Sequence, residues 1–329
     1  MSPAARLAFL GFLLFVVAAA MSFQFSAAAA DADVHIFQGV DDSKLFAADE
    51  QFISFQRKYG KVYATQEEHD YRFSVFKANL NRVRRHQLLD PNAFHGVTKF
   101  FDFTPREFRR QFLADVKRRP SDANMAPILP TDNLPNNFDW RDHGAVTPVK
   151  DQSSSCGSSW AFSTTGALEG ANFVATGRFA NLSQPLDCDH ESHQQQKDSY
   201  DSGCSVGLMN SSFDFSLVSV DEGQIAANLV KNGPLAVGMN ADFLQTYVRG
   251  ISCPYICSKR YLNHGALLVG YGRQASYYPN QLKETAYWMM KNSWGENWGE
   301  NGYYRICRDN IYRNVCGVNS MVSTVTTPH

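Results

Sequence analysis

The chain has 329 residues, of which 44% are hydrophobic and 19% are charged, and its formal net charge is −1. This length predicts more than one structural unit, and this composition supplies enough apolar residues for a core, which excludes wholesale disorder. The missing basic excess argues against an electrostatic nucleic-acid binder, because such a protein must neutralise phosphates.

The N-terminus has the pattern of a cleaved secretory signal. Arg6 precedes an apolar run from Leu7 to Ala20, and a run of alanines ends just before Asp31. We therefore expect a signal peptide over 1–30. A membrane anchor is the alternative, but the apolar run of about 14 residues is shorter than the roughly 20 that a spanning helix needs. Secretory entry permits disulfides, and after signal cleavage we expect no attachment to a membrane.

Residues 45–113 carry apolar side chains at spacings of three and four, which predicts helices. Four prolines between 120 and 135 are typical of an exposed linker. The segment 31–130 holds two more basic than acidic residues, whereas 131–329 holds four more acidic than basic. A basic helical segment joined to an acidic domain predicts an inhibitory propeptide with its linker over 31–130; two independent domains are the alternative.

The acidic part predicts a helical lobe followed by a sheet lobe. Helices are expected at 162–174 and at 221–231, where an acidic first turn opens the second one. Strands are expected for three aromatic or β-branched runs, at 266–271, 287–291 and 302–306. The fold class is therefore α+β, with a first lobe over about 140–217 and a second over about 218–329.

Four positions in this part carry the residue types of a nucleophilic site. Gln152 precedes the first predicted helix, Ser159 lies near the start of that helix, His264 opens a strand, and Asn292 follows another strand. Alone, the histidine would be a satisfied core residue and the asparagine a turn residue. Together they supply a nucleophile position, a base and an amide that orients the base, which is the arrangement of thiol proteases.

The segment 156–160, Cys-Gly-Ser-Ser-Trp, resembles the sequence around the reactive cysteine of the papain family of cysteine proteases. From about Leu45 onward the chain resembles the cathepsin F-like branch of that family. Two groups of residues resemble the family's propeptide motifs: Glu68, Arg72, Phe76, Asn79, Val83 and Gln87, then Gly96, Thr98, Phe100 and Asp102. Residues 134–141 resemble a mature N-terminus, so the peptidase domain is expected over 131–329.

The resemblance implies a papain-like fold with a helical lobe and an antiparallel β-barrel-like lobe, made as a zymogen that hydrolyses peptide bonds without a cofactor. It implies that Gln152 is the side-chain donor of an oxyanion hole, His264 the general base and acid, and Asn292 the residue that orients His264. Substrate contacts are implied for Gly207, Leu208, Leu262 and Trp294, the last of which also shields the His264 hydrogen bond from water.

Ser159 stands where the family has its reactive cysteine. A cysteine thiol works there because a helix N-terminus and an imidazolium lower its pKa, so that a thiolate is ready to attack. A serine hydroxyl is not ionised by that environment, and Asn292 is neutral and cannot stabilise an imidazolium as a carboxylate does. In a serine protease, the Asp-to-Asn change at this orienting position costs about 10⁴ in kcat. We therefore predict that peptidase activity is absent or about 10³ to 10⁴ below that of a cysteine relative.

Two spacings also depart from the family. Gln152 and Ser159 are one position further apart than in the family pattern, so one of the serines at 153–155 is an insertion. His264 follows Ser159 by 105 positions, whereas about 130 to 150 are usual. The sequence therefore predicts a deletion in the helical lobe, with its junction near 215–218.

The seven cysteines are an odd number, which leaves one thiol without an internal partner. The resemblance implies that Cys156 pairs with Cys204, and that Cys253 and Cys257 pair with Cys307 and Cys316 in an order that stays open. Cys188 is then the free thiol, because its family partner falls in the deleted segment. A zinc site at Cys188, His190 and His193 is disfavoured because the stretch resembles a family surface loop, so we expect no metal.

Three functions stay open: a conventional peptidase zymogen, a pseudoprotease that binds peptides or a partner without turnover, and a weak hydrolase with Ser159 as nucleophile, of silicatein-like type. Expected partners are a peptide or protein in the cleft and the chain's own propeptide. We expect a monomer in the secretory pathway, with a lysosome, a vacuole or the exterior as destination. Sequons at Asn181 and Asn210 are candidates for N-glycosylation.

Overall fold

The computed structural model describes residues 42–116, 122–153, 157–182, 214–278, 281–308 and 314–326. The chain divides into two compact units, 1–62 and 63–329. Helix α1, Asp42–Tyr59, belongs to the first unit and stacks Phe52 on Phe55 with ring centroids 6.1 Å apart. Among the described residues, no helix combines the length and the apolar character that crossing a membrane would require.

Two helices and a short strand continue the predicted helical stretch in the second unit. Helix α2 spans Gln66–Leu89, strand β1 spans Ala93–His95, and helix α3 spans Pro105–Phe112. The expectation of helices is confirmed, but the stretch is broken twice. Gly60 has a left-handed φ of 60° after α1, and Pro91 disfavours helical backbone in the residue before it, so α2 ends there.

The propeptide motif residues tie α2 to the segment that follows it. Arg72 donates to Glu107 Oε1 at 3.0 Å, and Asn79 donates to the carbonyl oxygens of Phe101 and Phe103 at 2.8 and 2.9 Å. The Thr104 hydroxyl and the Glu107 carboxylate cap the start of α3 reciprocally. These contacts explain why polar residues recur along one side of α2.

Helix α4, Ser159–Thr176, and helix α5, Glu222–Asn232, confirm the two helices predicted in the acidic part. The Asp221 side chain caps α5 by accepting from the Gln224 amide at 3.0 Å. Helix α4 packs closely against strand β6 at Gly265. A Cβ added to this glycine would lie only 2.8 Å from Trp160 Cα, so a larger residue would not fit there. That approach brings the start of α4 next to the start of β6.

The strands form one sheet in which β6 and β7 make the longest pair. The remaining strands are β2 Phe138–Asp139, β3 Asp214–Leu217, β4 Leu235–Met239, β5 Tyr247–Ser252, β6 His264–Tyr278, β7 Gln281–Lys291, β8 Tyr303–Cys307 and β9 Met321–Thr326. Their order is β1-β5-β8-β7-β6-β4-β9-β3, and β2 pairs with β6. All pairs are antiparallel except β5 with β8. The three predicted strand runs lie in β6, β7 and β8.

Two disulfides resolve an order that the sequence left open. Cys253 pairs with Cys307, with Cα atoms 5.3 Å apart, and Cys257 pairs with Cys316 at 4.9 Å. The implied pairing of this set of four is therefore confirmed. Cys156, Cys188 and Cys204 lie outside the described residues, so the first disulfide and the free thiol stay predictions.

Candidate active site

Ser159 is the first residue of α4 and is buried, with 1% of its surface exposed. Its hydroxyl oxygen accepts a hydrogen bond from the backbone N–H of Gly265 at 3.0 Å. The unpaired N–H groups at a helix start favour negative charge on a group placed there. The nucleophile position predicted from sequence therefore lies at a helix N-terminus and in contact with the residue that follows His264.

His264 is fully buried at the start of β6. Its Nε2 lies 2.8 Å from Asn292 Oδ1, and its Nδ1 has no hydrogen-bond partner among the described residues. Burial lowers the pKa of His264 to about 4, although the Asn292 hydrogen bond acts in the opposite direction. The imidazole is therefore neutral above that pH, and with Nε2–H donating to the amide oxygen its Nδ1 can accept a proton.

Trp294 covers this histidine, with ring centroids 4.8 Å apart. The indole is fully buried and also meets the rings of Phe100 and Phe108 edge-on, at 5.1 and 5.4 Å. The His264–Asn292 hydrogen bond is therefore sealed by aromatic rings, some of which come from the segment predicted to be the propeptide. Low water access strengthens such a hydrogen bond.

Gln152 is buried beside the site and held by Ser293, whose hydroxyl donates to Gln152 Oε1 at 2.6 Å. Its Nε2 donates to the carbonyl oxygen of Phe112 at 3.1 Å. The predicted oxyanion donor thus already contacts a backbone carbonyl. Ser153 next to it has a left-handed φ of 58°, which is uncommon for a residue other than glycine. This strained backbone lies at the predicted insertion.

The segment after α3 runs through the site as an extended peptide. Ala114 donates its N–H to the carbonyl of Asn263, and Val116 donates to the carbonyl of Leu262, both at 2.9 Å. A Cβ added to Gly157 would lie 3.0 Å from the carbonyl oxygen of Leu113. Leu262 is thus a backbone partner of the occupant. Gly207 and Leu208 lie outside the described residues, as does Asn210, whereas Asn181 is exposed.

A buried polar network behind the site was missed from sequence. Glu169 on α4 accepts from the Thr147 hydroxyl at 2.7 Å and from Lys150 Nζ at 2.8 Å. Lys291, which precedes Asn292, donates to the carbonyl and hydroxyl oxygens of Thr147 at 2.7 and 2.9 Å, and burial lowers its pKa to about 8. The network joins the helix of Ser159 to the strand end that carries Asn292. A glutamate as the one charged residue of a helix was the available signal.

A second polar cluster joins helix α2 and strand β1 to the sheet lobe. Thr246 Oγ1 lies 2.7 Å from His86 Nδ1 and 2.9 Å from His95 Nδ1. His95 Nε2 in turn lies 3.0 Å from Asp90 Oδ2, which also accepts from the Ser252 hydroxyl at 2.6 Å. Both faces of this interface are therefore matched by polar groups that are nearly all buried.

Replacing His86 with phenylalanine is expected to reduce the loss of stability in acid. Burial, followed by positive neighbours, lowers the pKa of His86 to about 3. Between about pH 6.5 and 3 the unfolded chain binds a proton there that the folded chain does not, so stability falls as pH falls. The phenylalanine keeps the stack on Phe243, whose ring lies 4.5 Å away.

Urea unfolding midpoints at pH 7 and pH 4 measure the effect. The difference between the two midpoints should shrink in His86→Phe and stay unchanged in His69→Gln, a variant at a partly exposed position near the start of the same helix. An equal difference in the wild type and in His86→Phe would contradict the assignment.

Comparisons with known proteins agree with this architecture. A family model described as papain family cysteine protease matches residues 134–219 and 214–326, and one described as cathepsin propeptide inhibitor domain (I29) matches 52–108. The probable cysteine protease RD19B of Arabidopsis thaliana is 53% identical over 357 aligned positions, which cover 95% of this chain and 97% of that protein. Cysteine proteinase 15A of Pisum sativum is 55% identical, covering 89% and 91%.

A solved structure of digestive procathepsin L 3 from Tenebrio molitor superposes with a TM-score of 0.65 at 30% identity, covering 85% of this chain and 99% of that one. The two papain-family matches meet at 214–219, where the sequence predicts the deletion junction. The RD19B alignment is longer than the 329 residues of this chain, so it contains gaps. The chain belongs to the papain family of cysteine proteases and carries that family's propeptide inhibitor domain.

Proposed function

We propose that this chain is a secretory papain-family zymogen whose peptidase activity is absent or about 10³ to 10⁴ lower than that of a cysteine relative. The observation that carries the proposal is a hydroxyl at the start of α4, where the family mechanism needs a thiolate. Ser159 contacts the Gly265 N–H, and the imidazole beside it is neutral above about pH 4. A thiolate–imidazolium pair is replaced by two neutral groups.

The remaining parts of the site support retention of a peptide-binding cleft. Gln152 and the carbonyls of Leu262 and Asn263 all contact an extended segment, here the chain's own residues 112–116. Because these contacts use backbone groups of the occupant, another extended peptide can make them once the propeptide has left. We therefore propose binding of peptides or of a protein partner without efficient turnover.

The organisation that goes with this proposal is a signal peptide over 1–30, a propeptide with its linker over 31–130 and a peptidase domain over 131–329. The chain is proposed to act as a monomer, without nucleic acid, metal or cofactor. A lysosome, a vacuole or the exterior is the proposed destination. The experiment is turnover of a peptide substrate at acid pH by the processed wild type and by its Ser159→Cys variant.

A weak serine hydrolase is the second candidate, and the Gly265 hydrogen bond favours it. The Ser159 oxygen accepts from that N–H and is not hydrogen-bonded to Nδ1 of His264, so this candidate requires a side-chain movement that brings the hydroxyl to Nδ1 before the proton transfers. The same N–H would stabilise negative charge that develops on the oxygen during attack.

This candidate predicts that a fluorophosphonate probe labels Ser159 in the processed protein. The labelling rate should fall as pH drops through about 4, because protonated His264 cannot accept the serine proton. His264→Ala should lower the rate at least about 10²-fold, while His69→Ala, a change at a partly exposed position on α2, should leave it unaltered. Labelling that survives in His264→Ala would exclude His264 as the base. If the wild type is not labelled at all, the hydrolase candidate is wrong and the pseudoprotease remains as the proposed function.

A further inference from the structure

Residues 124–129, here named the strap, pair with the edge of the peptidase sheet through a bridge at the last residue of β3. Leu217 donates its N–H to the carbonyl of Asn124 at 2.8 Å, and Ala126 donates its N–H to the carbonyl of Leu217 at 2.9 Å. Met125 and Leu217 make a parallel bridge. Strand β3 ends the sheet order on this side, so the strap lies on its outer edge. The prolines predicted an exposed linker, but part of that linker is paired.

A glutamine side chain holds the other end of the strap. Gln224 on α5 donates from Nε2 to the carbonyl of Leu129 and accepts the Leu129 N–H at Oε1, both at 2.9 Å. One primary amide thus replaces the donor and acceptor that a neighbouring strand would offer. The backbone of Gln224 is itself fixed, because its N–H donates to the Asp221 side chain.

The strap also contributes to the core of the sheet lobe. Ala126 is 6% exposed and packs in the same apolar cluster as Val218 and Ile225. Met125 and Ile128 are exposed, so Ala126 is the one fully buried residue of the strap and anchors it to this cluster. All of the strap contacts named here are made with residues of the peptidase domain.

We infer that the strap is a permanent part of the peptidase domain and stays with it when the propeptide is removed. A protease must bind its substrate as an extended, unpaired segment, and backbone groups already paired in a sheet first have to open. The bonds from Asn124 to Leu129 are therefore protected. The mature chain then begins at or before Asn124, not immediately before Leu134 where the family resemblance places a mature N-terminus, and this inference moves the proposed start of the peptidase domain from 131 to that position.

The strap also has a role in the folded domain, since it occupies both backbone groups of Leu217 at the end of β3. An uncovered sheet edge is a template for pairing with other chains. The strand that it covers lies at 214–217, next to the place where the two family matches meet. The inference does not depend on whether Ser159 is catalytic.

The test is native-state digestion of the full-length protein with thermolysin, which cuts before large apolar residues. The strap offers such bonds at Met125, Ile128 and Leu129. Intact mass and N-terminal sequencing of the stable fragment should show an N-terminus at or before Asn124. A stable wild-type fragment that begins anywhere from Met125 to Leu134 would overturn the inference.

A variant with a matched control tests the two hydrogen bonds between the Gln224 side chain and the backbone of Leu129. Gln224→Ala removes both hydrogen bonds to Leu129 and should speed cleavage inside the strap about tenfold, whereas Gln66→Ala, on α2, should not. Hydrogen exchange of the wild type gives an independent measurement if the variant does not fold. The amides of Ala126 and Leu129 should exchange as slowly as the amide of Val218, which donates to the Val322 carbonyl of β9, and unprotected exchange at both would contradict the inference.

Discussion

Replacing Ser159 with cysteine is expected to raise peptide hydrolysis by about 10³- to 10⁴-fold. The cysteine would lie at the start of α4, where helix N–H groups favour a thiolate, and next to a histidine whose Nδ1 has no partner among the described residues. Formation of that thiolate would raise the pKa of His264 above about 4, because a negative charge stabilises the imidazolium. Asn292 then suffices as the orienting group, since the thiolate carries the charge that a carboxylate supplies in serine proteases.

The measurement must first clear the cleft, since residues 112–116 occupy it. Both proteins are therefore processed with added pepsin, which is then blocked with pepstatin, and assayed on a peptide substrate near pH 5. The Ser159→Cys, His264→Ala double variant is the matched control and should fall back to the wild-type rate. Comparable rates for the wild type and Ser159→Cys would contradict the proposal that the serine limits activity.

A second measurement is needed in case the Ser159→Cys variant is inactive, because low activity alone would not show whether the thiol is reactive. Iodoacetamide should alkylate the thiol introduced by Ser159→Cys below pH 7, and adding His264→Ala should abolish that reactivity, because the lowered thiol pKa depends on the imidazolium. A thiol that reacts only above about pH 8 in both the single and the double variant would place the defect in the site geometry, where Ser153 has its left-handed φ. That result would refute Ser159 as the sole cause of inactivity.

Replacing Phe108 with alanine is expected to release the propeptide segment from the site. Phe108 is 1% exposed and lies among Phe100, Phe112 and Trp294, with ring centroids 5.1 to 5.8 Å away. Removing a buried phenylalanine costs about 3 to 5 kcal/mol. At 1.36 kcal/mol per decade, local opening of this segment should become at least about 10²- to 10³-fold more frequent.

Hydrogen exchange of the Ala114 and Val116 amides reports that opening, because both donate to carbonyls of the cleft. Their exchange should accelerate by about the same 10²- to 10³-fold. Phe94→Ala is the matched control, since Phe94 lies on β1 with half of its surface exposed and should change exchange little. If Phe108→Ala leaves both amides as protected as in the wild type, α3 does not hold the segment in the cleft.

Much of the site could be predicted because the chemistry resides in short motifs. His264 and Asn292 each stand next to glycine or serine in segments whose order matches a known mechanism, and the structure places them 2.8 Å apart. Gly265 was not predicted as a donor to Ser159, because a backbone N–H leaves no trace in residue identity. Glu169 and Lys291 were missed because a charge in a sequence is normally solvent-exposed, and only packing shows that these two are buried.

The sequence by itself determined the helices α4 and α5, the strands β6 to β8 and the order of the site residues. These features depend on residue identity and on periodicity over neighbouring residues, which local propensity and side-chain burial control. Only the tertiary structure decided that Cys253 pairs with Cys307 and Cys257 with Cys316. It also decided that the Gln152 side-chain N–H donates to the Phe112 carbonyl, and that residues 124–129 pair with β3. Each of these joins segments far apart in the chain, and the packing of the whole domain sets their register.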